Sequence, residues 1–270
     1  MVQYLEIGPA RGSLFISGGS DKMNFSKFVE LVGDPDAPVI IIPTAWEGNN
    51  FNPNSRRMKY FRDNGLNNIS ILHTRDRQEA DTENFIQPLK EAKAVYLDGG
   101  RQWRLSDAYL QTRVHSELFA LLDRGGVIGG GSAGASIQAS FLARGDTKTN
   151  EIMMGDHLEG FGFLKNMVID QHLLKRNRQF DLIEIIEAHP HLLGIGIDED
   201  TAIIVTRDEF EVIGSGYVAI YDYSKIVSPR GKFYFLSPGD RYNLKSREAF
   251  HVQIKPVERV TAGIWSEQAE

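Results

Sequence analysis

Apolar and polar positions along this chain follow two periods in turn. Short, near-continuous apolar runs at Ser13–Ser17, Pro38–Pro43, Ile69–His73, Ala94–Leu97 and Gly126–Gly130 predict strands covered on both faces. Between them, helical spacing predicts helices over Asn24–Val32, Asn54–Asn64, Glu83–Ala92, Asp107–Asp123 and Ala133–Phe141. Two further apolar runs, Met167–His172 and Leu193–Ile197, continue the series. This order predicts an α/β fold: a doubly wound, mostly parallel sheet with helices on both faces and right-handed crossovers. After about Thr201 the pattern changes to closely spaced strands, Ala202–Thr206, Glu211–Ile213, Tyr217–Tyr223 and Lys232–Leu236. These predict an antiparallel C-terminal extension over 202–270. No linker, repeat or low-complexity stretch interrupts the chain, so one α/β domain is expected over 1–270.

The strand at Gly126–Gly130 runs into Gly131-Ser132-Ala133-Gly134-Ala135-Ser136. Gly130, Ser132 and Gly134 fit the G-x-S-x-G nucleophile elbow, in which a serine sits on a sharp strand-to-helix turn. Such a turn strains the backbone and needs small neighbours, which the glycines supply. The N-terminus of the helix that follows would face the site and favour developing negative charge.

A serine nucleophile needs a base and a group to orient it. Of seven histidines, His172 is the best placed, because it closes an apolar strand whose end, Asp170-Gln171-His172, turns polar. His73, also at a strand end, is the weaker second choice. His115 falls in the predicted helix Asp107–Asp123 and is expected at the surface. His157, His189, His191 and His251 fall in turns, loops or a late strand. The orienting carboxylate is expected after Leu193–Ile197, where Asp198, Glu199 and Asp200 stand in a row. Strand alternation allows at most one or two of them to face the base, and the pattern alone does not say which. For the oxyanion, an elbow supplies the N–H of the next residue, here Ala133. The glycine pair Gly99-Gly100, after the strand Ala94–Leu97, is the best candidate for the second donor.

The Gly-Gly-Ser-Ala-Gly-Ala run, Asp170-Gln171-His172 followed by Arg176-x-Arg178, and Gly194-Ile-Gly-Ile-Asp-Glu-x-Thr-Ala together resemble cyanophycinases. These are the serine-peptidase branch related to dipeptidase E and to class I glutamine amidotransferases. The resemblance runs from Gly12 to about Gly216, with the motifs in the family's order. It implies the class I glutamine amidotransferase-like fold, with Ser132 as nucleophile, His172 as base and Glu199 as orienting carboxylate. It also implies substrate contacts from Gln102, Asp170, Gln171, Arg176 and Arg178. The implied reaction is hydrolysis of cyanophycin, a polyaspartate backbone bearing arginine on each β-carboxyl, to β-aspartyl-arginine dipeptides, with no cofactor or metal. Arg101 stands where the family more often has a carboxylate. Asp181 stands where it usually has a further arginine. Both departures bear on the substrate more than on hydrolysis. A dipeptidase E-like enzyme cleaving after N-terminal aspartate is the nearer alternative. A non-catalytic or amidotransferase-like module is the more distant one, opposed by the intact Ser132, His172 and Glu199.

Composition narrows the field further. The 270 residues are 41% hydrophobic and 24% charged, ordinary for a globular chain. A net charge of −6 without a Lys/Arg run excludes a basic nucleic-acid face. The absence of cysteine excludes disulfides, thiolate metal sites and a cysteine nucleophile. No apolar stretch approaches the ~20 residues of a membrane span. Met1–Glu6 carries no basic region followed by an apolar core, which leads to the expectation of a cytoplasmic protein. The expected partner is a peptide or polymer substrate, with no nucleic acid and no membrane. Homodimer formation is left open.

Overall fold

A computed structural model describes residues 7–20, 24–48, 51–225 and 231–251. Met1–Glu6 and 252–270, the end of the expected extension, lie outside the described residues. The chain runs through β1 (Ser13–Ser17), α1 (Phe25–Val32), β2 (Val39–Ile42), α2 (Arg56–Asp63), β3 (Ile69–Ile71), α3 (Arg77–Ala80), α4 (Glu83–Glu91) and β4 (Ala94–Leu97). It continues with α5 (Gln102–Tyr109), α6 (Arg113–Asp123), β5 (Val127–Gly131), α7 (Ala133–Ser136), β6 (Ala139–Phe141), β7 (Leu164–Gln171), α8 (Leu182–Ala188) and β8 (Leu193–Ile197). It ends in β9 (Thr201–Thr206), β10 (Glu209–Gly214), β11 (Val218–Asp222), β12 (Tyr234–Leu236), β13 (Arg241–Asn243) and β14 (Glu248–Phe250).

The strands form two sheets. The larger has the order β14-β13-β10-β9-β1-β5-β4-β2-β3, parallel from β1 to β3 and antiparallel from β1 outward through β9. Its parallel half explains the continuous apolar runs. Phe15, Val39, Ile41 and Tyr96 pack on one face against Phe25 and Phe28 of α1 and Met58 and Phe61 of α2. Leu14, Ile16, Ile40, Ile42, Val95 and Leu97 alternate with them and pack on the other face with Leu118 and Leu122 of α6. Burial of each such side chain is worth about 1.5–3 kcal/mol.

The smaller sheet, β12-β11-β8-β7-β6, was not expected. Its inner residues Met167, Ile169, Ile195 and Ile197 join the core on the helix α6 side of the larger sheet. Its outer residues Val168, Ala219 and Tyr221 pack against Leu182, Ile185 and Ile186 of α8. The late strands therefore divide: β9, β10, β13 and β14 extend the larger sheet, while β11 and β12 extend the smaller.

Two expected helices differ. The helix expected over Asp107–Asp123 is two, broken where Gln111 takes a left-handed φ of 61°. The break is held by His115, whose Nδ1 accepts the Gln111 N–H at 3.1 Å. His115 is half-buried, not a surface residue. Its Nε2–H donates to the Phe161 carbonyl at 2.8 Å, and burial lowers its pKa. The helix expected over Ala133–Phe141 is one turn, α7. Residues 139–141 leave it to pair parallel with β7, because completing the smaller sheet satisfies their backbone.

Candidate active site

The C-terminal ends of β1, β4, β5 and β7 converge on a pocket of about 1070 Å³. Ser132 follows β5 and takes φ 56°, ψ −115°, a strained conformation for a residue with a side chain. The close packing of the elbow is visible at Gly134, where a Cβ would come within 1.9 Å of the Leu97 carbonyl oxygen. The following helix is a single turn, so its dipole adds little. What it contributes is the Ala133 N–H.

His172, just past β7, also has a left-handed φ, 55°. Its Nε2 lies 2.8 Å from Ser132 Oγ and its Nδ1 lies 2.8 Å from Glu199 Oε1. A carboxylate only accepts, so Nδ1 carries the proton and Nε2 offers its lone pair to the serine hydroxyl. Burial lowers the His172 pKa, the Arg176 guanidinium lowers it further, and Glu199 opposes both. The balance favours the neutral imidazole. Asp198 faces elsewhere: its Oδ1 accepts the Leu174 and Lys175 N–H groups at 3.0 Å and caps the turn after His172. Asp200 offers the site its backbone, donating its N–H to the Gly19 carbonyl at 2.9 Å.

One strand end ties these segments together. The carbonyls of Ser17, Gly18 and Gly19 accept, in turn, the N–H groups of Ser132, His172 and Asp200. Gly19 lies against the His172 ring, where a Cβ would come within 2.3 Å of Cε1. In the sequence, Gly18-Gly19 are simply the two residues that follow the strand expected over Ser13–Ser17.

The Gly99–Gly100 loop stands beside the serine. A Cβ on Gly99 would lie 3.4 Å from Ser132 Cβ. The loop's amides are largely committed: Asp98 N–H to the Ile42 carbonyl, Gly99 N–H to Asp98 Oδ1 at 2.9 Å, and Arg101 N–H to the Ala45 carbonyl. Among the described residues, Gly100 N–H and Ala133 N–H have no protein acceptor.

Of the five expected substrate contacts, only Arg176 lines the pocket. Gln102 is buried and donates to the Ala143 carbonyl. Asp170 is fully buried in a two-bond ion pair with Arg144, at 2.9 and 3.0 Å. Arg178 donates to both the carbonyl and the side chain of Gln171. Asp181 accepts from the same terminal nitrogen of Arg144 that donates to Asp170, and Arg101 donates to the Asp146 carbonyl. Arg144, Asp170, Gln171, Arg178 and Asp181 are linked in one polar network, in which Arg178 lies 3.7 Å from Asp170. His73 is held by Thr44 at 2.8 Å and is not among the pocket residues. The pocket is lined as well by Trp46, Phe51, Arg56, Arg57, Tyr60 and Asp98, which the sequence analysis had not singled out. Asp98 adjoins the glycine pair and could have been suspected. Arg57, on the helix expected over Asn54–Asn64, left no signal.

Residues 13–213 match the model of Peptidase family S51. A cyanophycinase from Geminocystis herdmanii is 30% identical over 92% of this chain and 97% of its own length. A cyanophycinase from Synechococcus elongatus is 31% identical over 89% of this chain and 81% of its own. Among solved structures, a peptidase from an acI-B1 Actinobacterium superposes with a TM-score of 0.64 at 23% identity, covering 87% of this chain and 98% of that one. At that identity it speaks for the fold alone.

Proposed function

This chain belongs to peptidase family S51 and is a serine-type peptidase; from that premise we propose that it hydrolyses cyanophycin through a Ser132–His172–Glu199 triad. The observation that carries the reading is the unbroken pair of 2.8 Å contacts from Ser132 to His172 and from His172 to Glu199 at the wall of the pocket. Ser132 Oγ attacks the scissile carbonyl carbon as its proton passes to His172 Nε2. Glu199 accepts from Nδ1–H, holds the tautomer and stabilises the imidazolium. The oxyanion is held by Ala133 N–H and Gly100 N–H, which have no protein acceptor among the described residues, and each such donor is worth ~10²–10³ in kcat. The imidazolium then protonates the leaving amine, and water, activated by the same histidine, releases the acyl group. Arg176, at the pocket wall, is the group suited to a substrate carboxylate. Gln102, Asp170, Gln171 and Arg178 act as support.

The cyanophycinase relatives favour a β-Asp-Arg polymer as substrate. The pairing of Asp181 with Arg144, where the family carries an arginine, favours a change in how the substrate is held. A dipeptidase E-like preference for aspartyl dipeptides is therefore the second reading. The test is incubation of the protein with cyanophycin and, separately, with Asp-Leu, identifying products by mass spectrometry. Release of β-Asp-Arg that disappears in Ser132→Ala is the expected result. Cleavage of Asp-Leu with intact cyanophycin would overturn it in favour of the second reading.

A further inference from the structure

Arg57 and Asp98 form an ion pair at the pocket wall that the triad does not use. Arg57 Nε donates to Asp98 Oδ2 at 3.1 Å, and its terminal nitrogen donates to Oδ1 at 2.8 Å. The guanidinium also lies over three rings, with its carbon 4.9 Å from the Phe61 centroid, 5.4 Å from Tyr60 and 5.7 Å from Tyr96. Two bonds and three aromatic faces set its position from α2 on one side and β4 on the other. A cation so held is a fixed part of the wall.

Its partner reaches the reacting atoms through one peptide. Asp98 Oδ1 also accepts the Gly99 N–H at 2.9 Å. Gly99 has no side chain to anchor it, and Gly100 has a φ of 142°, a region open to glycine and little else. Two consecutive glycines make a loose hinge at the place where an oxyanion donor must stand within a few tenths of an ångström. Among the described residues Asp98 is the side chain tied to this hinge, and Arg57 is what stops that carboxylate from turning.

We propose that Arg57 is a positioning residue for hydrolysis: through Asp98 it locks the Gly99 peptide and so aims the Gly100 N–H at the oxyanion. The inference rests on the triad reading above and on Gly100 as a donor. Among the described residues Arg57 bonds to Asp98 and not to Ser132, His172 or Glu199. Removing it loosens the loop without removing a substrate contact, so the loss falls on kcat and leaves KM nearly unchanged.

The pair is reachable from solvent, the Arg57 side chain being 39% exposed and that of Asp98 20%. Arg57→Ala therefore leaves an open, aromatic-walled hollow facing a carboxylate, which free guanidinium fits. The experiment measures kcat and KM on a short soluble β-Asp-Arg oligomer and on Asp-Leu, with melting temperature recorded for every variant. Arg57→Ala is expected to lower kcat at least ~10-fold, a part of the ~10²–10³ that loss of an oxyanion donor costs. Millimolar guanidinium chloride is expected to restore most of that loss. The same concentration of urea should not, and neither reagent should rescue Arg57→Ala/Asp98→Ala. Arg57→Lys keeps the charge and stem but not the fork, so it should fold like the parent and lose kcat by several-fold. Parental kcat in Arg57→Lys and Arg57→Ala overturns the inference. So does a loss confined to KM, which would make Arg57 a substrate contact, or a kcat loss that guanidinium leaves untouched. Ser132→Ala, run on the same substrates, separates the two levels. If it stays active, or if the parent cleaves neither substrate, the triad reading fails and this inference falls with it. If it is dead while the Arg57 variants are parental, only the inference fails.

Discussion

Ser132 and Glu199 meet the two nitrogens of one imidazole, and the environment of His172 decides the pH at which it serves. Burial and then Arg176 push its pKa below the ordinary 6.5, with Glu199 pulling the other way. The active form is the neutral base, so kcat/KM should fall as pH drops through a midpoint below 6.5. Arg176→Gln removes a cation that disfavours imidazolium, so its midpoint should move up, toward 6.5, whatever happens to KM. A pH–rate profile checks both, and a parental midpoint above 6.5 would mean the opposite balance. The neighbouring carboxylates separate as sharply. Glu199→Gln should cost several orders of magnitude, by analogy with the ~10⁴ of a triad carboxylate-to-amide change. Asp198→Asn keeps the oxygen that caps the 174–175 turn and loses only the charge that strengthens two bonds, so it should cost less than ~10-fold, about 1 kcal/mol. Turnover of the two variants on one substrate, with equal losses, would contradict the assignment. Strand alternation in the sequence allowed either residue to face the base. Their difference arises from the turn after His172, which claims Asp198 with two backbone amides and leaves Glu199 to the ring.

Strand ends, more than helices, build this site. Gly19, beyond β1, carries no side chain because the His172 ring occupies that space. Gly19→Ala should therefore push the ring off its line to Ser132 and lower kcat ~10²-fold, the scale of an ångström's misplacement. Its melting temperature should fall as well, because Gly19 has a φ of 124°, a region that a residue with a side chain rarely adopts. A parental kcat for Gly19→Ala would show that the ring tolerates displacement. The strands at the site could be read from the sequence because both their faces are covered, which leaves an unbroken apolar run ending in glycine or polar residues. Helix limits were less legible. Nothing in Leu110-Gln111-Thr112 breaks a helix by propensity; the break depends on His115 accepting the Gln111 amide. Likewise Ala139-Ser140-Phe141 could continue a helix and leaves it only because β7 offers a partner. Both depend on residues distant in the chain or in space, which local periodicity does not register.

At the scale of the molecule, Ser132, the proposed nucleophile, follows a strand of the larger sheet, His172, the proposed base, follows a strand of the smaller one, and Glu199 lies in the link between β8 and β9 that passes from one to the other. The partition into two sheets was not legible, because strand pairing is a property of distant segments and each strand reads alike alone. Among the described residues no helix is long and apolar enough to cross a membrane. Within this arrangement, three successive carbonyls at Ser17, Gly18 and Gly19 hold the amides of Ser132, His172 and Asp200. Those three amides lie far apart in sequence, yet releasing any one requires the same strand end to lift. Their deuterium uptake should thus follow a single opening event, with matching protection factors under native conditions. Residue-resolved exchange that gave three unrelated rates would show the segments breathing independently. If the rates agree, the end of β1 acts as a clasp. The lifetime of an active molecule is then the lifetime of that clasp, and heat should silence turnover as soon as it opens, before the remainder of either sheet has begun to melt.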